Sequence, residues 1–354
     1  MKLSKLRYRL FGRRVIKTAL AVFLTSLICE AIGWPPPVFA VITAIVTIEP
    51  TVADSIKKGA VRFPASAIGS AYAVLFIFLF GDSPITYTLA ALFTIITCYR
   101  LGLHVGLLVA TLTSVAMIEV IHANFIFSFI IRLGTTTIGL LVSTLVNMFI
   151  LPPNYTNKIM TNMTDLLKRT GDELEIIVKQ VIEKGGEHAS KRIEIDQHFT
   201  KLKSTLDQID TLLHFQADES KYHRLDPDTK RIFDYEQKNI TRLRLIHYHI
   251  GNLINLPTQH VCWSQQECSE IEQIVETLVD FMRYPAHYKA AAYRQQVKQL
   301  MNQFWESKRP VEDSKSTLFT PEVIILYELL SIYNIVEEIL VSEKEMTEQQ
   351  SVYS

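Results

Sequence analysis

Residues 43–51 read TAIVTIEPT, an apolar run that stops on a carboxylate, Glu49, with Pro50 directly after it. Proline has no N–H to donate and disfavours helical geometry in the residue before it, so a helix arriving here must end or bend at Glu49. The carbonyls of its last turn then lose their usual donors. At membrane depth such backbone is tolerated only where protein or a water-filled cavity satisfies it. The stretch therefore reads as an interrupted membrane helix whose end, Glu49 included, faces a vestibule and not lipid.

Six apolar runs, 15–33, 36–48, 65–80, 85–99, 103–118 and 125–151, follow one another, and apart from 49–64 no gap between them holds more than one charged residue. A helix needs roughly 20 residues to cross a hydrocarbon core of about 30 Å, so several runs are short, and the second and fifth are expected to be broken or tilted. Runs of this length also occur as buried helices of soluble proteins, but six in succession favour the bilayer. The basic head and VFA at 38–40 imitate a signal peptide, yet more apolar runs follow at once and the first helix reads as retained. The chain has 354 residues, 48% of them hydrophobic. Its composition divides into a transmembrane domain, 1–153, and a more polar domain, 154–354.

Charge gives the orientation. Formal net charge is zero, but residues 1–152 hold twelve Lys and Arg against five Asp and Glu. With the N-terminus in the cytoplasm, the cations of the N-terminal tail fall on one side together with Lys57, Lys58 and Arg62, and with Arg100 and His104. The opposite loops, GWPPP, GDSP and EVIHAN, contain no Lys or Arg. The positive-inside rule thus predicts six crossings of the cell membrane with both termini cytoplasmic. Cations placed between apolar runs, and not on a solvated face, speak against nucleic-acid binding.

Shifting the sequence against itself by about 70 residues aligns the first three runs with the last three. Thr18 meets Thr88, Ala21 meets Ala91, Phe23 meets Phe93 and Thr43 meets Thr113. Glu49 meets Glu119, Arg62 meets Arg132, and Ile68-Gly69 meets Ile138-Gly139. Apolar coincidences are cheap in membrane sequence, whereas matched Glu, Arg and Thr are not. Three spans per half make this a 3+3 inverted repeat, with halves at about 15–80 and 85–150, an arrangement that places substrate sites between the halves at interrupted helices.

The candidate substrate or coupling residues follow: Glu49, Arg62, Glu119, Arg132, Thr43 and Thr113, with Pro50 as the helix break. A carboxylate against apolar walls has its pKa raised by desolvation and can exchange a proton near neutral pH. A guanidinium stays charged and offers a bidentate fork to a carboxylate substrate. Arg62 and Lys57 also suit interfacial anchoring, and Glu119 a solvated loop, which leaves Glu49 as the most constrained of the set.

Beyond LPP at 151–153 the pattern becomes that of amphipathic helices. Asp226-Pro227 and Thr320-Pro321 place a cap before a first-turn proline, and Ser264 with Glu267 has capping-box spacing. Ile271, Ile274, Val275, Leu278 and Met282 form one stripe, and Ile325, Leu329, Ile332, Val336 and Ile339 another. The expectation is an all-α chain, its second domain a cytoplasmic antiparallel bundle of five or six helices. His247 and His249, two apart, point to different sides of a helix and read as structural. Cys29 and Cys98 lie in membrane runs, and Cys262 and Cys268 are wrongly spaced for a zinc knuckle, so neither metal nor cofactor is expected. No phosphate loop, nucleophile motif or paired catalytic carboxylates point to an enzyme.

TAIVTIEPT, RFPASAIG at 62–69 and the closing LPP make the chain resemble the aromatic acid exporter family, in the bacterial branch that joins six membrane helices to a C-terminal helical domain. The resemblance extends distantly to the aluminium-activated malate transporters, dimeric anion channels. It implies export of aromatic carboxylates, proton-driven, by a homodimer. The expected partners are small organic anions and the lipid bilayer. The competing expectation is a membrane-anchored regulatory or scaffold protein that works through its helical bundle.

Overall fold

A computed structural model describes residues 12–34, 37–119, 125–182, 189–256, 263–307 and 320–353. Among them the chain is all helix, without strands, and it divides into two compact units. The first is Met1–Asn154 with Phe215–Arg224, and the second is Tyr155–His214 with Leu225–Ser354.

The first unit contains α1 (Arg13–Ile32), α2 (Val38–Thr47), α3 (Val52–Phe80), α4 (Pro84–Arg100), α5 (Leu107–Ile118) and α6 (Phe125–Phe149), with a 3-10 turn, His104–Gly106, before α5. α1, α3 and α6 are long and apolar enough to cross a membrane. α2 has 10 residues and α5 has 12, which at about 1.5 Å per residue is roughly half the hydrocarbon thickness. They correspond to the second and fifth apolar runs. One boundary differs from the sequence reading. Lys57 and Lys58, expected in a loop, lie with Arg62 in the first turns of α3, because Thr51 caps that helix by accepting the Asp54 N–H at 3.0 Å. The third helix thus starts at Val52, before Arg62 and the apolar run at 65–80. Parts of the GWPPP and EVIHAN loops, residues 35–36 and 120–124, lie outside the described residues.

Side-chain size in this unit is sorted opposite to a soluble core. Buried positions carry small or hydroxyl residues: Ala21, Thr25 and Cys29 on α1, Ala65, Ser66, Gly69, Ser70 and Ala73 on α3, and Thr135, Thr136, Gly139 and Ser143 on α6. Large apolar side chains, among them Phe23, Phe78, Leu108, Ile126, Leu141 and Phe149, are exposed. Water would penalise such a surface, whereas lipid tails accept it and leave close backbone packing to hold the helices together. The small residues permit that approach. A Cβ on Gly69 would collide with the Ala110 carbonyl oxygen, and one on Gly139 with that of Ala40. α3 packs on α4, α5 and α6, α6 also packs on α1 and α2, and α1 packs on α2 as α4 does on α5.

The second unit is built from α7 (Thr156–Ile182), α8 (Ala189–Glu219, whose last residues join the first unit), α9 (Pro227–Asn255), α10 (Gln265–Arg283), α11 (Ala290–Ser307) and α12 (Pro321–Tyr353). Its starts follow the sequence signals: Asp226 accepts the Thr229 N–H at 2.9 Å, and Ser264 with Glu267 closes a capping box. Both stripes are buried, from Ile271 to Met282 on α10 and from Ile325 to Ile339 on α12. His247 is buried against Leu243 O and Thr170, and His249 pairs with Glu328.

Candidate functional site

The break in TAIVTIEPT folds into a densely bonded knot. α2 ends at Thr47 and α3 begins at Val52. The carbonyls that Pro50 deprives of donors are taken by side chains from distant elements. Arg62 Nη1 donates to Val46 O at 2.9 Å and Arg14 Nη2 to Ile48 O at 3.0 Å. Asn147 Nδ2, from α6, lies 3.2 Å from both Glu49 O and Thr51 O and 2.9 Å from Ser55 Oγ. Lys17 Nζ donates to Asn147 Oδ1 at 2.8 Å. At the start of α3, the Val52 N–H donates to Glu219 Oε2 at 3.1 Å. These residues answer the requirement for satisfied backbone at depth. They fill the space where the sequence suggested open carbonyls.

Glu49 itself accepts from Arg62 Nη2 at 2.9 Å and from Lys58 Nζ at 3.0 Å. It sits in the link between helices, its side chain 11% exposed. Burial raises its pKa, as expected from sequence, but the hydrogen bonds and charges of Lys58 and Arg62 outweigh burial and hold the carboxyl below the usual carboxylate range. In this conformation Glu49 is ion-paired with both cations.

Arg132, the counterpart of Arg62, has a different environment. It lies two turns into α6 and is 3% exposed. Its Nη2 donates to Thr113 Oγ1 on α5 and to Ser66 Oγ on α3, the latter at 3.3 Å. The guanidinium carbon stands 4.2 Å from the centre of the Phe39 ring. Nε and Nη1 are buried with no hydrogen-bond partner among the described residues. No described acid pairs with it, since Glu119 is exposed and accepts from Tyr87 Oη at 2.6 Å. Thr43, the counterpart of Thr113, donates to Phe39 O at 2.8 Å and packs beneath Gly139. Ser66 and Thr136, also about 70 apart in sequence, face each other with hydroxyls 3.5 Å apart.

The candidate residues therefore fall apart: Glu49, Pro50 and Arg62 lie in the paired knot, Thr113 and Arg132 meet in a buried contact, Thr43 is buried on α2 against Gly139, and Glu119 stands apart at an exposed helix end. Phe39, Ser66, Asn147 and Glu219 complete these sites and were not singled out from sequence. Arg132 thus brings a buried guanidinium, two of whose nitrogens lack a hydrogen-bond partner among the described residues, against Thr113, Ser66 and the Phe39 ring.

Residues 9–150 match the family described as aromatic acid exporter family member 1. A UPF0421 protein of Oceanobacillus iheyensis is 43% identical over 335 residues, covering 92% of this chain and 94% of the relative. One from Bacillus cereus strain ATCC 10987 is 42% identical over 337 residues, with 94% of each chain covered. One from Staphylococcus haemolyticus is 36% identical over 335 residues, covering 92% of this chain and 98% of the relative. These alignments extend over both units.

Proposed function

Because this chain belongs to the aromatic acid exporter family, we propose that it is a multi-pass protein of the cell membrane that exports aromatic carboxylate anions, with Arg132 as the anion seat. The observation that carries the reading is the buried guanidinium without an acidic partner. A charge taken out of water and left unpaired costs several kcal/mol, and a carboxylate ligand removes that cost by supplying the counter-charge and accepting from Nε and Nη1. Phe39 gives an aromatic substrate a ring to pack against.

The mechanism we propose rests on the inverted repeat. Helix lengths run long, short, long in each half, with 20, 10 and 29 residues, then 17, 12 and 25. Packing partners interchange when the halves are exchanged: α2 packs on α6 as α5 packs on α3, and α1 on α6 as α4 on α3. Gly69 meets Ala110 as Gly139 meets Ala40, each partner about 70 residues from its counterpart. Against this symmetry the acid–base pairs differ. Glu49–Arg62 is joined, and Glu119 and Arg132 are apart. The joined pair closes the cytoplasmic end, and the opposite state joins Glu119 to Arg132 and frees Arg62. Anion release outward follows from Glu119 competing with the substrate for Arg132. Proton coupling enters where Glu49, once its cations swing away, keeps only the effect of burial and binds a proton. Both termini lie in the cytoplasm on this reading, and two chains pair in the membrane.

Purified protein in sealed vesicles tests the function against a panel of aromatic acids and their neutral methyl amides. Saturable flux of carboxylates, absent for amides, supports export. Equal leak of both classes, or none of either, removes it.

A further inference from the structure

In the second unit α11 presents two faces of different chemistry. Tyr293 and Leu300, seven residues apart and both fully buried, mark the apolar face, and the Tyr293 hydroxyl donates to Tyr333 O on α12. A separate face, at positions 295, 296, 299, 302, 303 and 306, carries four glutamines, an asparagine and a glutamate. With Glu270, Gln273 and Ile274 of α10 it lines a cleft of about 500 Å³.

A polar helix face is ordinarily satisfied by water, and most of this one is open to it. Two of its atoms are not. Gln296 Oε1 and Gln303 Oε1 are buried and accept no hydrogen bond from any described residue. Glu270 fixes which way the Gln303 amide is turned: Gln303 Nε2 donates to Glu270 Oε2 at 2.9 Å, and the reverse orientation would set an amide oxygen against a carboxylate. The unpartnered atom at 303 is therefore an acceptor. A buried acceptor without a donor costs free energy, which an apolar side chain of the same shape would avoid.

The lining sets the chemistry of what fits. No Lys, Arg or His lines the cleft among the described residues, which disfavours an anion. Both oxygens of Glu270 already accept amide N–H groups, from Gln303 and from Gln266 at 3.1 Å, and Glu306 is exposed to water. Neither carboxylate calls for a cation. What the cleft has in excess is the primary amide, a donor and an acceptor side by side, whose complement is a hydroxyl that also does both.

We propose that this cleft binds an uncharged polyol of sugar size, its hydroxyls bonded to the α11 amides and a C–H face against Ile274. The last torsion of a glutamine is broad, so a small rotation turns each orphaned oxygen into the cleft, where a ligand hydroxyl supplies the missing donor. The volume falls within the roughly 300–1,000 Å³ of small-molecule sites and accommodates a mono- or disaccharide. A neutral ligand held in the second unit makes this a site separate from the seat of the exported anion.

The test titrates the full chain in phosphatidylcholine nanodiscs, carbon-13 labelled at the isoleucine δ1 methyls, with glucose and trehalose, and with spermidine and gluconate as charged probes. The Ile274 signal, assigned through Ile274→Val, should shift saturably with trehalose, and the dissociation constant should be the same at low and high salt because no ligand charge is involved. Gln296→Leu should weaken binding at least threefold without lowering the denaturation midpoint, since the deleted oxygen has no partner to lose. Gln303→Leu should act in the same direction, with Gln299→Ala in its place if loss of the Glu270 contact unfolds the chain. An Ile274 signal unmoved by both sugars overturns the proposal. So does tighter binding of spermidine or gluconate, a salt-dependent constant, or unchanged affinity in the folded variants. Vesicle flux of carboxylates is read separately, so either site can fail alone.

Discussion

Glu49→Gln removes one charge from a buried pair and leaves its partners in place. The Glu49 and Arg62 side chains are 11% and 9% exposed, and Lys58 is 33% exposed. Stranding one member of a buried pair costs about 3–5 kcal/mol. The half-exposed Lys58 arm adds at most about 1 kcal/mol, and the amide oxygen retained by Gln returns about 1 kcal/mol through one neutral hydrogen bond. We expect a net loss of about 3 kcal/mol. Arg62→Gln should cost a similar amount, and the double variant should cost about 2 kcal/mol less than the sum, because neither charge is then stranded. Denaturant titrations of the three variants in mixed micelles supply the cycle. Additivity within about 0.5 kcal/mol refutes the pair as a closing contact. The pH dependence has a definite sign. The folded-state pKa of Glu49 is depressed, so its stabilisation is fully present above the ordinary value of 4.5 and is lost only as pH falls below it. The stability gap between wild type and Glu49→Gln should therefore hold steady from pH 8 to about 5 and close on further acidification.

Gly139→Ala and Gly69→Ala push a Cβ into a backbone carbonyl that cannot turn aside, and each should lower stability by about 1–3 kcal/mol in the same micelle titrations. Asn147→Ala strips donors from Glu49 O, Thr51 O and Ser55, with an expected loss of about 1–3 kcal/mol and greater protease cleavage near residue 50. Glu119→Gln, at an exposed end, should leave the denaturation midpoint unchanged while slowing vesicle flux, and normal flux would count against the second pair. A cysteine at Asp82 should react with an impermeant thiol reagent from outside whole cells, and labelling only from inside would invert the topology.

Local chemistry carried the readings that sequence made well. Pro50 forbids a continuous helix, Asp226 and Ser264 announce their caps within three residues, and the stripes on α10 and α12 repeat at helical period. Residues that act across the fold left no such trace. Asn147 meets the knot from 98 residues away and Glu219 from 167, and no local pattern marks either. The start of α3 is obscured because Lys57 and Lys58 look like a loop when charge is taken as solvent exposure, whereas the Thr51 cap and the Glu49 pairing make them part of a helix. The ion pairing of Glu49 is illegible for a related reason: burial shows in an apolar run, but the two cations that oppose it come from the following helix. Phe39 and Ser66 are ordinary membrane residues until Arg132 is placed between them.

The central claim is that Arg132 seats the substrate's carboxylate. Its most direct measurement is efflux of a radiolabelled aromatic carboxylate from vesicles containing equal amounts of wild type or Arg132→Lys. Lysine keeps the charge but not the fork, and losing one charge-assisted hydrogen bond of about 1.5–3 kcal/mol should slow saturable efflux by roughly ten- to a hundredfold. Efflux at the wild-type rate, with the same dependence on substrate concentration, would contradict it.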